Sequence, residues 1–88
     1  MRKPFKEKAF CEIAVEFVNM AKQRMREPDK SMGSYASRHE CLGVIAEEFH
    51  ELEHAVHDGV SSEMRSEMLD IAVACLFSMA SIDLGLEW

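Results

Sequence analysis

Three stretches of the chain place apolar residues at helical spacing, and no stretch alternates strictly between apolar and polar residues as a β-strand would. The first stretch covers about residues 4–26, where the apolar side chains from Phe10 to Met25 share one side. Pro4 is compatible with a first helical turn, and Pro28 stops the segment. This pattern predicts an amphipathic N-terminal helix.

The second stretch predicts a helix over residues 38–57, with a start signal and a stop signal at its ends. Ser37 and Glu40 match the S-x-x-E capping box, in which the serine side chain accepts a hydrogen bond from the glutamate N–H and the glutamate side chain accepts one from the serine N–H. Asp58 and Gly59 follow the last turn, where glycine commonly ends a helix. Between these signals the segment has the length of a long globular helix.

The third stretch predicts a helix that Ser61 or Ser62 caps and that ends near residue 84, before Gly85. The short loop after the second helix makes these two helices antiparallel neighbours. Residues 71–80 are apolar on nearly all sides, and three helices cannot cover such a surface. We therefore expect an all-α fold: an antiparallel helical hairpin plus an N-terminal helix, completing a helical bundle by association into a homodimer or higher oligomer.

Acidic side chains interrupt the apolar faces of both hairpin helices. In the second helix, Glu48 projects from within the apolar arc and Glu51 lies at its edge. In the third helix, Glu67 and Asp70 share a face that continues into apolar surface. A carboxylate directed at a core is costly unless it is paired or bound to a metal. The centre of the apolar arc on the second helix is predicted to consist of Leu42, Ile45, Phe49, Leu52 and Val56.

Each hairpin helix would thus bring an acidic pair to the contact between them, and the carboxylates would repel each other strongly. A hard divalent cation with oxygen ligands removes this conflict, and Mg²⁺ or Mn²⁺ is the natural choice. Mg²⁺ retains water ligands and binds substrate phosphates. A metal would also explain how an acidic protein could hold a nucleotide.

The two acidic motifs resemble those of a known enzyme family. "EEFHE" (Glu47–Glu51) matches E-E-x-x-E, and "EMLD" (Glu67–Asp70) matches E-x-x-D after a gap of 15 residues. This arrangement resembles the MazG family of all-α nucleoside triphosphate pyrophosphohydrolases, and "HECLGVIAEEFHEL" resembles the short phage and bacterial type in particular. The resemblance covers about residues 37–82. It implies one MazG-like domain over residues 1–88.

The resemblance also implies a function and roles for individual residues. The chain would cleave an NTP or dNTP to the monophosphate and pyrophosphate, with Mg²⁺ as cofactor and Mn²⁺ as a possible substitute. The implied metal ligands are Glu48, Glu51, Glu67 and Asp70. Glu47 would orient water, so that Glu47 and Glu48 form the catalytic pair.

Substrate contacts are harder to assign, because the residues after Asp70 are apolar whereas many family members carry basic and amide or phenol side chains there. The nucleotide would have to be held by Lys22, Arg26 and Arg38, or by another subunit. This departure leaves an alternative open: a non-catalytic helical interaction or regulatory module that retains a degenerate metal site.

A second motif overlaps the first: "HELEH" (residues 50–54) matches the H-E-x-x-H pattern of zinc proteases. A catalytic zinc needs a third protein ligand, and zinc proteases pack this helix against a sheet. No strand is predicted here, and His50, His54 and His57 lie on the polar side of their helix. We therefore favour the magnesium interpretation, with adventitious Ni²⁺ or Zn²⁺ binding by the exposed histidines.

Composition excludes several other classes of protein. The 88 residues carry a net charge of −6, which disfavours nonspecific binding to nucleic acid or to anionic membranes. The run "IAVACLFSMA" is shorter than the roughly 20 residues of a membrane span. Cys11, Cys41 and Cys75 lie among apolar residues without C-x-x-C spacing, so we interpret them as reduced core cysteines of a cytoplasmic protein.

Overall fold

The computed structural model describes residues 2–27 and 33–85, and its regular secondary structure in these ranges is helical. The helices are α1 (Glu7–Arg26), α2 (Arg38–Asp58) and α3 (Ser61–Asp83). The all-α prediction and the order of its three helices are confirmed. α1 begins at Glu7, so the prediction that Pro4 lies in its first turn is wrong. Pro28 lies outside the described residues.

The chain divides into two compact units, of which one contains α1 and the other contains α2 and α3. That all 88 residues form a single domain stays a prediction. α1 carries Glu7 in its first turn and Arg24 and Arg26 in its last turn, an order that complements the helix dipole. Several of its large apolar side chains are exposed, among them Phe10 at 59% and Met25 at 60%.

The ends of α2 follow the predicted signals. The Ser37 hydroxyl accepts a hydrogen bond from the Glu40 backbone N–H at 3.1 Å. The Glu40 carboxylate accepts one from the Ala36 N–H at 3.0 Å, one residue earlier than in the usual capping box. At the other end, Gly59 adopts a left-handed conformation with φ of 71° and donates its N–H to the last carbonyls of α2. Glycine has no Cβ penalty there.

α3 begins one residue earlier than a serine cap would allow. Val60 precedes the helix in an extended conformation, with no side-chain cap, and Ser61 is already helical. The prediction that Ser61 or Ser62 caps α3 is therefore wrong: the left-handed Gly59 turns the chain so sharply that a single residue separates it from α3. Because this connection is short and the two helices pack on each other, α2 and α3 form an antiparallel hairpin.

Small side chains form the centre of the hairpin. Val73, at 1% exposure, is the best-buried apolar residue of α3. The buried hydroxyls are satisfied within the helix, because Ser78 donates to the Ala74 carbonyl at 2.8 Å and Ser81 donates to the Phe77 carbonyl at 2.7 Å. Ser81 also accepts a hydrogen bond from the Tyr35 N–H at 2.9 Å, which fixes the segment before α2 to the end of α3. The buried residues of the hairpin are Cys41, Ala55, Val73, Ala74, Ser78 and Ser81.

The face of α2 that packs on α3 matches the predicted one only in part. Of the five residues expected at its centre, Ile45 and Leu52 are half-buried, but Leu42, Phe49 and Val56 are 66%, 54% and 51% exposed. The buried positions are instead Cys41 and Ala55, whose small side chains allow the two helices to approach closely. Glu48 lies midway between them at seven-residue spacing and is half-buried. The packed face of α2 therefore has a carboxylate at its middle.

Two further sequence interpretations are resolved by the structure. Cys41 is buried and Cys75 is half-buried, but Cys11 is exposed, so its interpretation as a core residue is wrong. None of the helices in the described part of the chain has the length and apolar character needed to cross a membrane.

Candidate metal centre

Three carboxylates converge where α2 and α3 meet. Glu48, Glu67 and Asp70 each offer one carboxylate oxygen, and these three oxygens lie within 4.8 Å of one another. Glu48 comes from the middle of α2, whereas Glu67 and Asp70 lie one turn apart on α3. All three side chains are half-buried. This spacing is suited to sharing a single hydrated cation.

Two carboxylate oxygens of this cluster are closed off from solvent. The Oε2 atoms of Glu67 and Glu48 are buried, and neither of these two atoms has a hydrogen-bond partner in the structure. A buried oxygen with unmet hydrogen-bonding capacity costs about 1–3 kcal/mol, and more when it is charged. A cation at the cluster would satisfy these atoms, which gives a physical reason for the arrangement beyond the spacing alone.

The acidic surroundings affect the protonation of Glu67. Burial raises the pKa of Glu67 above its usual value of 4.5, and a hydrogen bond with the side chain of Glu51 raises it further. The negative charges of Glu51, Asp70 and Glu63 contribute in the same direction. Without a cation, the cluster therefore holds a proton more readily than isolated carboxylates do.

The structure brings together the residues that the sequence nominated as metal ligands. Three of them form the oxygen cluster, and the fourth, Glu51, is exposed but hydrogen-bonds to Glu67. Glu47, the expected water-orienting residue, is exposed on α2 next to Glu48. These donors are all hard oxygens, which fit Mg²⁺ or Mn²⁺ better than a softer metal. Their role as ligands stays a prediction.

The predicted substrate-binding residues lie in two other places. Arg38 lines a groove of about 600 Å³ together with Cys41, Ile82 and Gly85. This groove is at the end of the hairpin where α2 begins and α3 ends. Lys22 and Arg26 line a depression of about 470 Å³ along α1, with Asn19, Gln23 and Glu27. The contribution of these three basic residues to nucleotide binding stays a prediction.

Sequence reasoning did not single out Glu63, although its charge acts on Glu67. The signal was available, because Glu63 lies four residues before Glu67 and hence one helical turn away. It was overlooked because it falls outside the E-x-x-D motif. Its place in the first turn of α3 also fits an ordinary role beside the positive end of the helix dipole.

Comparisons with protein-family models, with curated proteins and with solved structures gave no significant match to this chain. The resemblance to MazG-like enzymes therefore depends on the two acidic motifs of the sequence alone.

Proposed function

We propose that this chain is a Mg²⁺-dependent nucleoside triphosphate pyrophosphohydrolase of the MazG-like type, which converts an NTP or dNTP to the monophosphate and pyrophosphate. The observation that carries the proposal is the convergence of Glu48, Glu67 and Asp70 within 4.8 Å at the contact between α2 and α3. These residues come from both acidic motifs, whose spacing is that of the MazG family. Mn²⁺ is the expected substitute for Mg²⁺.

The electrostatics of the cluster favour a bound cation over a purely structural role. Burial and neighbouring negative charges raise the pKa of Glu67, so the cluster is unfavourable in its fully ionised form. A divalent cation would remove that cost and would leave positions open for phosphate oxygens. It would also offset the repulsion between a triphosphate and a chain whose net charge is −6.

Each acidic residue has a distinct task in the proposed reaction. Glu48, Glu67 and Asp70 hold the ion, and Glu51 adjusts the charge of Glu67 through their hydrogen bond. When bound, Mg²⁺ supplies positive charge that orients the phosphates and stabilises the charge developing on the leaving pyrophosphate. Glu47 is exposed and immediately precedes Glu48 on α2, and in this proposal its carboxylate accepts a hydrogen bond from the attacking water.

A homodimer or higher homo-oligomer would complete the helical bundle. On α2, Leu42, Phe49 and Val56 form an exposed apolar stripe at seven-residue spacing. On α3, the exposed Met68, Met79 and Ile82 share a second such face. Covering these stripes with a second copy would stabilise the assembly by about 25 cal/mol for each Å² of apolar surface removed from water. Light scattering at micromolar concentration tests this, and a monomeric mass would contradict it.

A non-catalytic interaction module is the second candidate, and the same exposed stripes favour it. Such a module would keep the acidic cluster as a structural remnant and would use its apolar faces to bind a partner. The two candidates differ in one observable property: only the enzyme releases pyrophosphate from a nucleotide.

The decisive experiment is a screen of NTPs and dNTPs for Mg²⁺-dependent pyrophosphate release. We expect release from at least one nucleotide and complete loss in Glu48→Gln, which keeps the side-chain shape but removes a ligand charge. Glu53→Gln is the matched control, because Glu53 lies on the same helix with an exposed side chain. Replacing His50 and His54 by Ala should leave Mg²⁺-dependent activity intact.

Two results would contradict the proposal. No Mg²⁺-dependent release from any nucleotide of the panel would favour the non-catalytic module. Zinc-dependent activity that disappears in the His50→Ala, His54→Ala double variant would instead assign the chemistry to the histidine motif. Circular dichroism of each variant confirms that its helices are retained.

A further inference from the structure

Two histidines on α2 lie close together outside the carboxylate cluster. His50 and His54 are four residues apart, and their rings meet edge to face with centroids 4.8 Å apart. The Nε2 atom of His50 lies 3.3 Å from the Nε2 atom of His54. Both side chains are exposed, so nothing in the hairpin core requires this arrangement.

The distance between the two Nε2 atoms matches the geometry of a shared metal ion. Imidazole nitrogens bind Zn²⁺ at about 2.0–2.1 Å, so two of them in a tetrahedral site are about 3.3 Å apart. The pair has this separation already. The two Nε2 atoms are hydrogen-bonded to each other in the structure, so a metal that binds between the rings would take the place of the proton they share.

A carboxylate lies near the pair. The Oε1 atom of Glu53 lies 3.9 Å from Nδ1 of His50. The other ring nitrogen of His50, Nε2, is the one that contacts His54. The distance between Glu53 and Nδ1 is too long for a hydrogen bond, but both side chains are exposed and a rotation of Glu53 can shorten it. A hydrogen bond from Nδ1 to Glu53 would leave the Nε2 lone pair of His50 available to a metal, as in carboxylate–histidine–metal arrangements.

We propose that His50 and His54 form a second metal site, for a borderline transition-metal ion such as Zn²⁺, Ni²⁺ or Cu²⁺. The pair supplies two nitrogen ligands, and the remaining coordination positions are open to water or to an external ligand. Imidazole suits these metals, whereas the carboxylates of Glu48, Glu67 and Asp70 suit Mg²⁺. The two sites are therefore sorted by ligand type, and the second does not depend on the proposed enzymatic function.

Calorimetric titration of the full chain with Ni²⁺, in the presence of saturating Mg²⁺, tests the site. We expect one saturable Ni²⁺ site per chain. His50→Ala and His54→Ala should each bind at least roughly tenfold more weakly, because chelation makes the second contact intramolecular. His57→Ala is the matched control, since His57 is exposed on the same helix but is absent from the contact. Glu67→Gln should retain full Ni²⁺ affinity.

A spectroscopic measurement identifies the ligands directly. Electron paramagnetic resonance of the Cu²⁺ complex should show coupling to two imidazole nitrogens in the native chain and to fewer in either histidine variant. Three results would overturn the proposal: no saturation below about 1 mM Ni²⁺, unchanged affinity in His50→Ala or His54→Ala, or an equal loss in His57→Ala. Loss of Ni²⁺ binding in Glu67→Gln would assign the ion to the carboxylate cluster instead.

Discussion

Removing one charge from the carboxylate cluster should stabilise the metal-free protein and abolish its response to Mg²⁺. Glu67→Gln is the sharpest perturbation, because Glu67 is half-buried and its pKa is raised by burial and by its acidic neighbours. Glutamine keeps the size of the side chain and removes a negative charge. The variant therefore removes the electrostatic repulsion among the carboxylates while it keeps the packing of the side chain at this position.

The spacing of the oxygens sets the size of the effect. Two unit charges 4.8 Å apart repel by about 1 kcal/mol in water and by about 3 kcal/mol at an effective dielectric constant of 20. Because the cluster is partly open to solvent, the value near 1 kcal/mol is the better guide. For a domain of this size, that corresponds to a rise in Tm of about 4–8 °C for the metal-free variant near neutral pH.

Mg²⁺ should act in the opposite direction on the native protein. An ion present at 100 times its Kd stabilises the folded state by about 2.7 kcal/mol. The expected rise in Tm is on the order of 10 °C. Glu67→Gln should lose most of this shift because it lacks one ligand charge.

The assay is a pair of thermal melts for each protein, with and without Mg²⁺ at constant ionic strength. Glu53→Gln removes an equivalent charge from an exposed position and should respond to Mg²⁺ as the native protein does. A native protein without an Mg²⁺-specific shift would refute the reasoning. So would a Glu67→Gln variant that is less stable without metal and still responds fully to Mg²⁺.

The remaining predictions concern pH and two hydrogen bonds. The pKa of Glu67 in the folded metal-free protein lies above 4.5, so the folded state binds a proton more tightly than the unfolded state does. The free energy of unfolding should therefore fall as pH rises from about 4.5 through that pKa. Thermal melts of Glu67→Gln across the same pH range should lack this pH dependence. Ser37→Ala removes the α2 cap and should cost about 1 kcal/mol by denaturant unfolding, with the Mg²⁺ response unchanged. Ser81→Ala leaves the Tyr35 N–H without its acceptor and should cost about 1–3 kcal/mol in the same assay, whereas Ser62→Ala, at an exposed position of α3, should cost little.

Helical spacing was sufficient to predict three members of the carboxylate cluster, whereas the fourth expected member, Glu51, is exposed and lies outside it. Glu67 and Asp70 must share a face at i, i+3, and the short connection through Gly59 obliges α3 to return along α2. Glu48 was nominated because it interrupts an apolar arc, and it does lie on the packed face. These inferences depend on backbone periodicity, which a sequence determines well.

The choice of the packed face on α2 was less predictable. α2 has two adjacent apolar stripes, and hydrophobicity favours the one with the larger side chains, Leu42, Phe49 and Val56. The hairpin instead buries Cys41 and Ala55 most deeply, with the predicted Ile45 and Leu52 half-buried beside them, because small side chains let the helices approach more closely. Size complementarity with α3 decides which face of α2 is buried, and the sequence of α2 alone does not contain that information. The contact between His50 and His54 likewise depends on side-chain rotamers.

The central claim is that Glu48, Glu67 and Asp70 hold a divalent cation. Crystals grown with Mn²⁺ test it most directly, because the anomalous signal locates the ion without assumptions about activity. The account predicts an anomalous peak at coordination distance from the carboxylate oxygens of all three residues. Ordered carboxylates with no peak between them, at a Mn²⁺ concentration that populates other sites, would contradict it.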